Sequence, residues 1–174
     1  MSQREPGKRV FALKSLSKDG IEAALNKAEH YRLLNQPKLA ESICLDILEI
    51  DPGNQKTSVV LLLALTDQFG SSTPEGAKQA EAIAAKLQDE FARLYYTGII
   101  HERQGNVALN SPVHGTDYDA YEWYLEAMEY YEKAERIQPT SNNDAILRWN
   151  TCARTIMQFK LEERPSDAPH PILE

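Results

Sequence analysis

The sequence predicts an all-α fold: an array of about three helical hairpins closed by a capping helix. Three observations carry this. Small residues recur at helical spacing, first as Ala24, Ala28 and Tyr31 and then as Ala40, Cys44 and Ile47, so each set shares one helix face. Proline stops end two of the segments, at Asp51-Pro52-Gly53-Asn54 and at Gln138-Pro139, because the residue before proline is pushed out of α space. The segments also come in pairs, the internal repetition of a stacked helical array.

Element by element, residues 1–18 read as a basic, flexible arm, within which Val10, Phe11, Leu13 and Leu16 are the side chains able to dock. Residues 20–54 form the first hairpin, broken at Asn35-Gln36-Pro37, with Pro37 at a helix first turn. Thr57 to Phe69 is apolar almost all round, which predicts a central, buried helix. After Gly70–Thr73, Pro74 opens an alanine-rich helix carrying Ala77, Ala80, Ala84 and Leu87. Phe91 to Gln104 follows, with Gly98 at a close-packing position. Pro52 and Pro139 lie 87 residues apart, about 19 more than two repeats of roughly 34 residues would fill. The excess is assigned to a long loop at about 105–118, with two glycines, a proline and no helical period. Tyr124 to Pro139 is the next helix. Asn142, Asn143 and Asp144 then offer caps for a last helix to about Leu161, whose apolar face (Ile146, Trp149, Ala153, Ile156, Met157) is expected to seal the stack. The repeat domain is thus 19–161, and 162–174 is expected to be a flexible, proline-rich tail.

Bulk properties narrow the function. A 174-residue chain with 42% hydrophobic and 26% charged residues has the composition of one globular domain. Five bases (Arg4, Lys8, Arg9, Lys14, Lys18) against two acids (Glu5, Asp19) give the first 19 residues +3, leaving −10 for the rest of a chain whose total is −7. An acidic body disfavours phosphate binding, so no nucleic-acid role is expected. The longest apolar stretch, Val59 to Leu65, is too short to span a bilayer. Cys44 and Cys152 fall at buried helix positions and are expected to stay reduced, in keeping with a cytoplasmic setting.

The first hairpin resembles the tetratricopeptide repeat (TPR) pattern: its small residue is matched by Ala28, its tyrosine by Tyr31, its alanine by Ala40 and its closing proline by Pro52. Ala24 and Lys27 stand where tryptophan and leucine are typical. A closer match comes later, where Ala127, Tyr131, Ala134 and Pro139 hold the family spacing for a second helix. The chain looks like a divergent, bacterial-type TPR protein. That resemblance implies a right-handed solenoid serving as a scaffold or adaptor, with a peptide or partner helix held in a concave groove lined by the first helix of each repeat. Carried onto this sequence, the groove presents Leu25, Glu29 and Arg32, then Val59, Leu63 and Asp67, then Tyr95, Ile99, Glu102 and Arg103, with Asn150 and Arg154 from the last helix. Asp67, Tyr95, Ile99, Glu102, Arg103, Asn150 and Arg154 are the candidate partner-binding residues. Leu25 and Glu29 occupy positions where the chaperone-binding subclass uses basic and amide groups to clamp a carboxylate.

Catalytic motifs are not found. His101-Glu102 lacks the second histidine of a zinc-protease helix. No histidine has a glutamate three residues before it, as a di-iron bundle requires. His114, Asp117 and Asp119 are the only arrangement suggesting a metal, and a solvated loop accounts for them. The expectation is therefore a non-enzymatic protein without cofactor or metal, binding a protein or peptide and existing as a monomer or weak homo-oligomer. A structural subunit acting through self-association is the alternative, with the aromatic run Tyr118, Tyr121 and Trp123 as candidate anchors.

Overall fold

The structure is a computed structural model that describes residues 11–71 and 75–166. Among these, the regular structure is entirely helical: a 3₁₀ turn at Lys18–Gly20 and the helices α1 (Ile21–Leu33), α2 (Pro37–Ile50), α3 (Gln55–Thr66), α4 (Glu75–Ala85), α5 (Glu90–Leu109), α6 (Thr116–Glu135) and α7 (Asp144–Phe159). Each helix packs on the next in sequence, and α1 also meets α3, as α3 meets α5.

Local chemistry sets the boundaries. Asn54 caps α3 by accepting a hydrogen bond from Thr57 N at 2.9 Å, and Asp89 caps α5 by accepting one from Ala92 N at 2.8 Å; each satisfies an N–H that has no partner within the helix. Pro37 sits in the first turn of α2. The Pro74 start expected for α4 lies outside the described residues, as do residues 1–10 of the basic arm and 167–174 of the tail.

Helix α3 buries Thr57, Val60, Leu61, Leu62, Ala64, Leu65 and Thr66, the all-round burial its sequence demands. It lies at the centre of one apolar cluster drawn from α1 to α4 together with Ile100 of α5. A second cluster joins α5, α6 and α7, and the two meet through Leu63 and Tyr96, which pack against both.

Three expectations need correction. Residues 105–118 are not a long loop: α5 continues to Leu109 and α6 starts at Thr116, leaving 110–115 as the connection. Gly105 is not a breaker here. A Cβ on it would lie 2.9 Å from Cε1 of Tyr124, so the glycine lets that ring lie flat on α5. The residues beyond two ordinary repeats are absorbed by two helices of 20 residues each. The turn into α6 is made by Gly115, whose φ of 88° favours glycine.

The start of the tail is held rather than free. Leu161 is buried in the second cluster. Arg164 donates to the Gly115 carbonyl and to Asp119, and covers the ring of Tyr118. The chain after α7 is thereby fixed to the first turn of α6.

Helix α7 seals the stack with part of the expected stripe, Trp149 and Ile156, joined by Ala145 and Cys152 in place of Ile146, Ala153 and Met157. Ala145 and Cys152 are fully buried and Trp149 and Ile156 pack partly against the core, whereas Met157 is 68% exposed. The inward-facing positions 145, 148, 152 and 156 recur at helical spacing, with Arg148 among them.

Candidate functional site

Two charged groups cross the odd-numbered helices. In the first, Asp67 at the end of α3 accepts a hydrogen bond from Arg32 Nε of α1 at 2.8 Å, and Arg103 Nη2 of α5 lies 3.5 Å from its other carboxylate oxygen. Arg32, Asp67 and Arg103 therefore form a row across α1, α3 and α5. Two guanidinium groups face one carboxylate, so the row carries a net positive charge within an acidic protein.

The second group is deeper. The Glu102 carboxylate accepts from Tyr131 OH at 2.6 Å and from Arg148 Nη1 at 3.0 Å, tying α5 to α6 and α7. Burial, then the charge and hydrogen bond of Glu102, push the Tyr131 hydroxyl far above the usual phenol range. Burial works to lower the Arg148 pKa, but Glu102 and Tyr95 outweigh it and the net shift is upward. Arg148 thus stays charged, and the pair acts as an internal clasp.

An open cleft of about 470 Å³ borders the first group. Its walls include Asp67, Phe69, Arg103, Asn106, Val107 and Ser111. It exists because α5 runs on beyond the end of α3. A second cleft, of about 520 Å³, is lined by residues 35–39 together with Asp67, Gln68 and Ser71. Asp67 belongs to both, so the two depressions adjoin at the charged row. Tyr124 OH donates to Asn106 Oδ1 at 2.7 Å, which directs the amide N–H groups of Asn106 away from that bond. Polar donors beside Phe69 and Val107 give the cleft a mixed polar and apolar lining.

The structure brings together only part of the expected set. Asp67 and Arg103 share the 470 Å³ cleft. Glu102, one residue from Arg103, turns instead into the clasp with Tyr131 and Arg148. Ile99 is 2% exposed and belongs to the core. Tyr95 packs on Phe91, Tyr96 and Tyr131, with ring centroids 5.2 to 5.9 Å away. Asn150 and Arg154 lie two and six residues from Arg148, about 200° and 240° around the helix, and so face away from the side on which α7 meets Glu102. They do not line the cleft.

Arg148, Asn106 and Val107 are the residues that sequence reasoning missed. Arg148 could have been found, since it shares the stripe of Ala145 and Cys152. Asn106 and Val107 were hidden by the assignment of 105–118 to a loop. The aromatic run is largely satisfied internally: Tyr121 packs in the second cluster, Trp123 and Tyr130 flank the His101 ring at 5.3 and 5.2 Å, and Tyr118 lies under Arg164.

Among the described residues, no group of three His, Cys, Asp or Glu side chains is placed to hold a metal, and no helix is long and apolar enough to cross a membrane. Burial pushes the Cys44 and Cys152 thiols up to about 12, leaving little of the reactive thiolate. No protein-family model, curated protein or solved structure matches the chain.

Proposed function

We propose that this chain is a TPR-like, right-handed array of the hairpins α1–α2, α3–α4 and α5–α6 closed by α7, and that it works as a cytoplasmic protein-interaction module or adaptor. Its ligand is a peptide or partner helix lying across α1, α3 and α5, with side chains entering the cleft beside Asp67 and Arg103. The observation that carries this reading is the Arg32–Asp67–Arg103 row. It holds polar, partly exposed groups in fixed positions along one side of three successive odd-numbered helices, next to open space. Packing of α1 on α3 and of α3 on α5 is what a hairpin array requires. Rigid helices hold such a constellation more firmly than loops do.

Arg103→Glu tests the reading. The Arg103 side chain is one-third exposed and makes the longer of the two contacts to Asp67, so the fold persists through Arg32. The substitution places a second negative charge beside Asp67 and reverses the sign of the row. In affinity purification from the native cells, a specific partner held by the wild type is expected to fall on the order of tenfold or more, a loss of at least about 1.4 kcal/mol, with an unchanged helical circular dichroism spectrum. Equal recovery of every partner by both proteins contradicts the placement.

A further inference from the structure

The cleft beside the charged row is furnished with hydrogen-bond donors that no described residue uses. Arg103 lines it and makes no hydrogen bond among the described residues: its charged contact is the 3.5 Å approach of Nη2 to Asp67, and its Nε is buried without a partner. Asn106 Oδ1 is taken by the Tyr124 hydroxyl, while its amide N–H groups are unspent. Ser111 Oγ accepts from Val113 N at 3.3 Å and keeps its own O–H to give. The acid in the wall, Asp67, already faces both Arg32 and Arg103. Around the two adjoining clefts, Arg32, Lys38 and Arg103 stand against Asp67 and Glu41, and the Glu41 carboxylate is occupied by Gln68 Nε2 at 2.7 Å. Glu102, next to Arg103 in the chain, is spent in the clasp. Phe69 and Val107 supply the apolar part of the wall.

We infer that the segment this cleft receives is acidic: an aspartate or glutamate side chain of the partner pairs with Arg103, and an apolar side chain next to it packs on Phe69 and Val107. The inference rests on the peptide-site reading above and narrows it to one partner chemistry. A guanidinium fork matches the plane of a carboxylate, and the Asn106 amide and Ser111 hydroxyl offer further donors to an ionised group that only accepts. Two guanidinium groups facing one carboxylate leave the row short of a single negative charge, which one acidic side chain supplies. A phosphate brings about −1.5 to −2, and the excess would fall beside Asp67. Because Asp67 borders both clefts, a chain lying across the row continues from one into the other. The acid is therefore a side chain within the segment rather than a chain terminus.

Selection of random phage-displayed peptides on the full chain tests this. Enriched peptides are expected to carry Asp or Glu beside Leu, Ile, Val or Phe. In fluorescence anisotropy, one such peptide with an amidated C-terminus should bind at least about tenfold more weakly once its acid is changed to the matching amide, and Arg103→Glu should cause the same loss. A version with Lys in place of the acid regains affinity for Arg103→Glu, which a misfolded variant could not provide. Peptides that lose binding to the cleft-filling Val107→Trp, yet carry no acid or are indifferent to its removal, overturn the inference and leave the peptide-site reading standing. Peptides indifferent to both Val107→Trp and Arg103→Glu, or no enrichment at all, overturn both. Tighter binding by a phosphoserine version, or by an acid-free version with a free C-terminal carboxylate, also overturns the inference.

Discussion

Gly98→Ala is expected to lower the stability of the folded chain by about 1–3 kcal/mol, even though alanine is the better helix former by about 1 kcal/mol. A Cβ at position 98 would lie 2.6 Å from Cε1 and 2.8 Å from Cδ1 of Tyr131, closer than carbon atoms can pack. The ring cannot swing aside easily, because it is fully buried and its hydroxyl is bonded to Glu102. Gly105→Ala should act in the same direction, with its Cβ 2.9 Å from Cε1 of Tyr124. Both glycines are two turns apart on α5, and both tyrosines are two turns apart on α6, so the antiparallel hairpin is built on two matched glycine–tyrosine contacts. Urea denaturation of each variant measures the effect. A stabilised Gly98→Ala would show that the ring contact is not what the glycine is for.

The clasp between α5 and α7 gives the other large effect. Arg148→Ala leaves the Glu102 carboxylate, whose side chain is 6% exposed, without its cationic partner. An unpaired buried charge costs about 3–5 kcal/mol. Arg148 is itself one-third exposed, and water screening lowers the expectation to about 2–3 kcal/mol. Adding Glu102→Gln should recover about 1–2 kcal/mol of that loss, since the amide oxygen still accepts from Tyr131 while the charge is gone. Denaturant melts of the two single variants, the double variant and the wild type supply the coupling energy. Additive losses would mean that Glu102 and Arg148 do not act as a pair.

These two features also mark where the sequence was and was not legible. Helix content was readable because small and apolar residues at helical spacing suit packed helices and little else, and the all-round apolar run of α3 had nowhere to go but the middle. The α5–α6 hairpin was misread at one end because glycine has opposite meanings in two settings. In an open segment it marks a turn, whereas at Gly105 it makes room for a ring arriving from a residue 19 positions later, and no local pattern carries that information. Gly98 was recognised because helical periodicity continued on both sides of it.

The candidate site was legible in half. Asp67 and Arg103 were reached by placing a repeat register on α3 and α5, where that register agrees with the packing. On α7 the same register selected Asn150 and Arg154, although the stripe formed by Ala145, Arg148 and Cys152 identified the other face. Tertiary packing decided between two amphipathic readings of one helix, and the choice moved two residues from the candidate site to an outer surface. Arg164 illustrates a further limit. A proline-rich composition suggests an extended tail, and it gives no sign that one arginine will pin the chain to Gly115 and Asp119.

The claim that the cleft beside the Arg32–Asp67–Arg103 row receives a protein partner can be tested by site-specific photo-crosslinking in the native cells. A photoreactive residue replaces Val107, in the cleft wall, or Glu81, exposed on α4. A discrete adduct with one partner from position 107, absent from position 81 and diminished by Arg103→Glu, is the predicted result. Adducts of equal yield and pattern from both positions, or none from position 107, would contradict it.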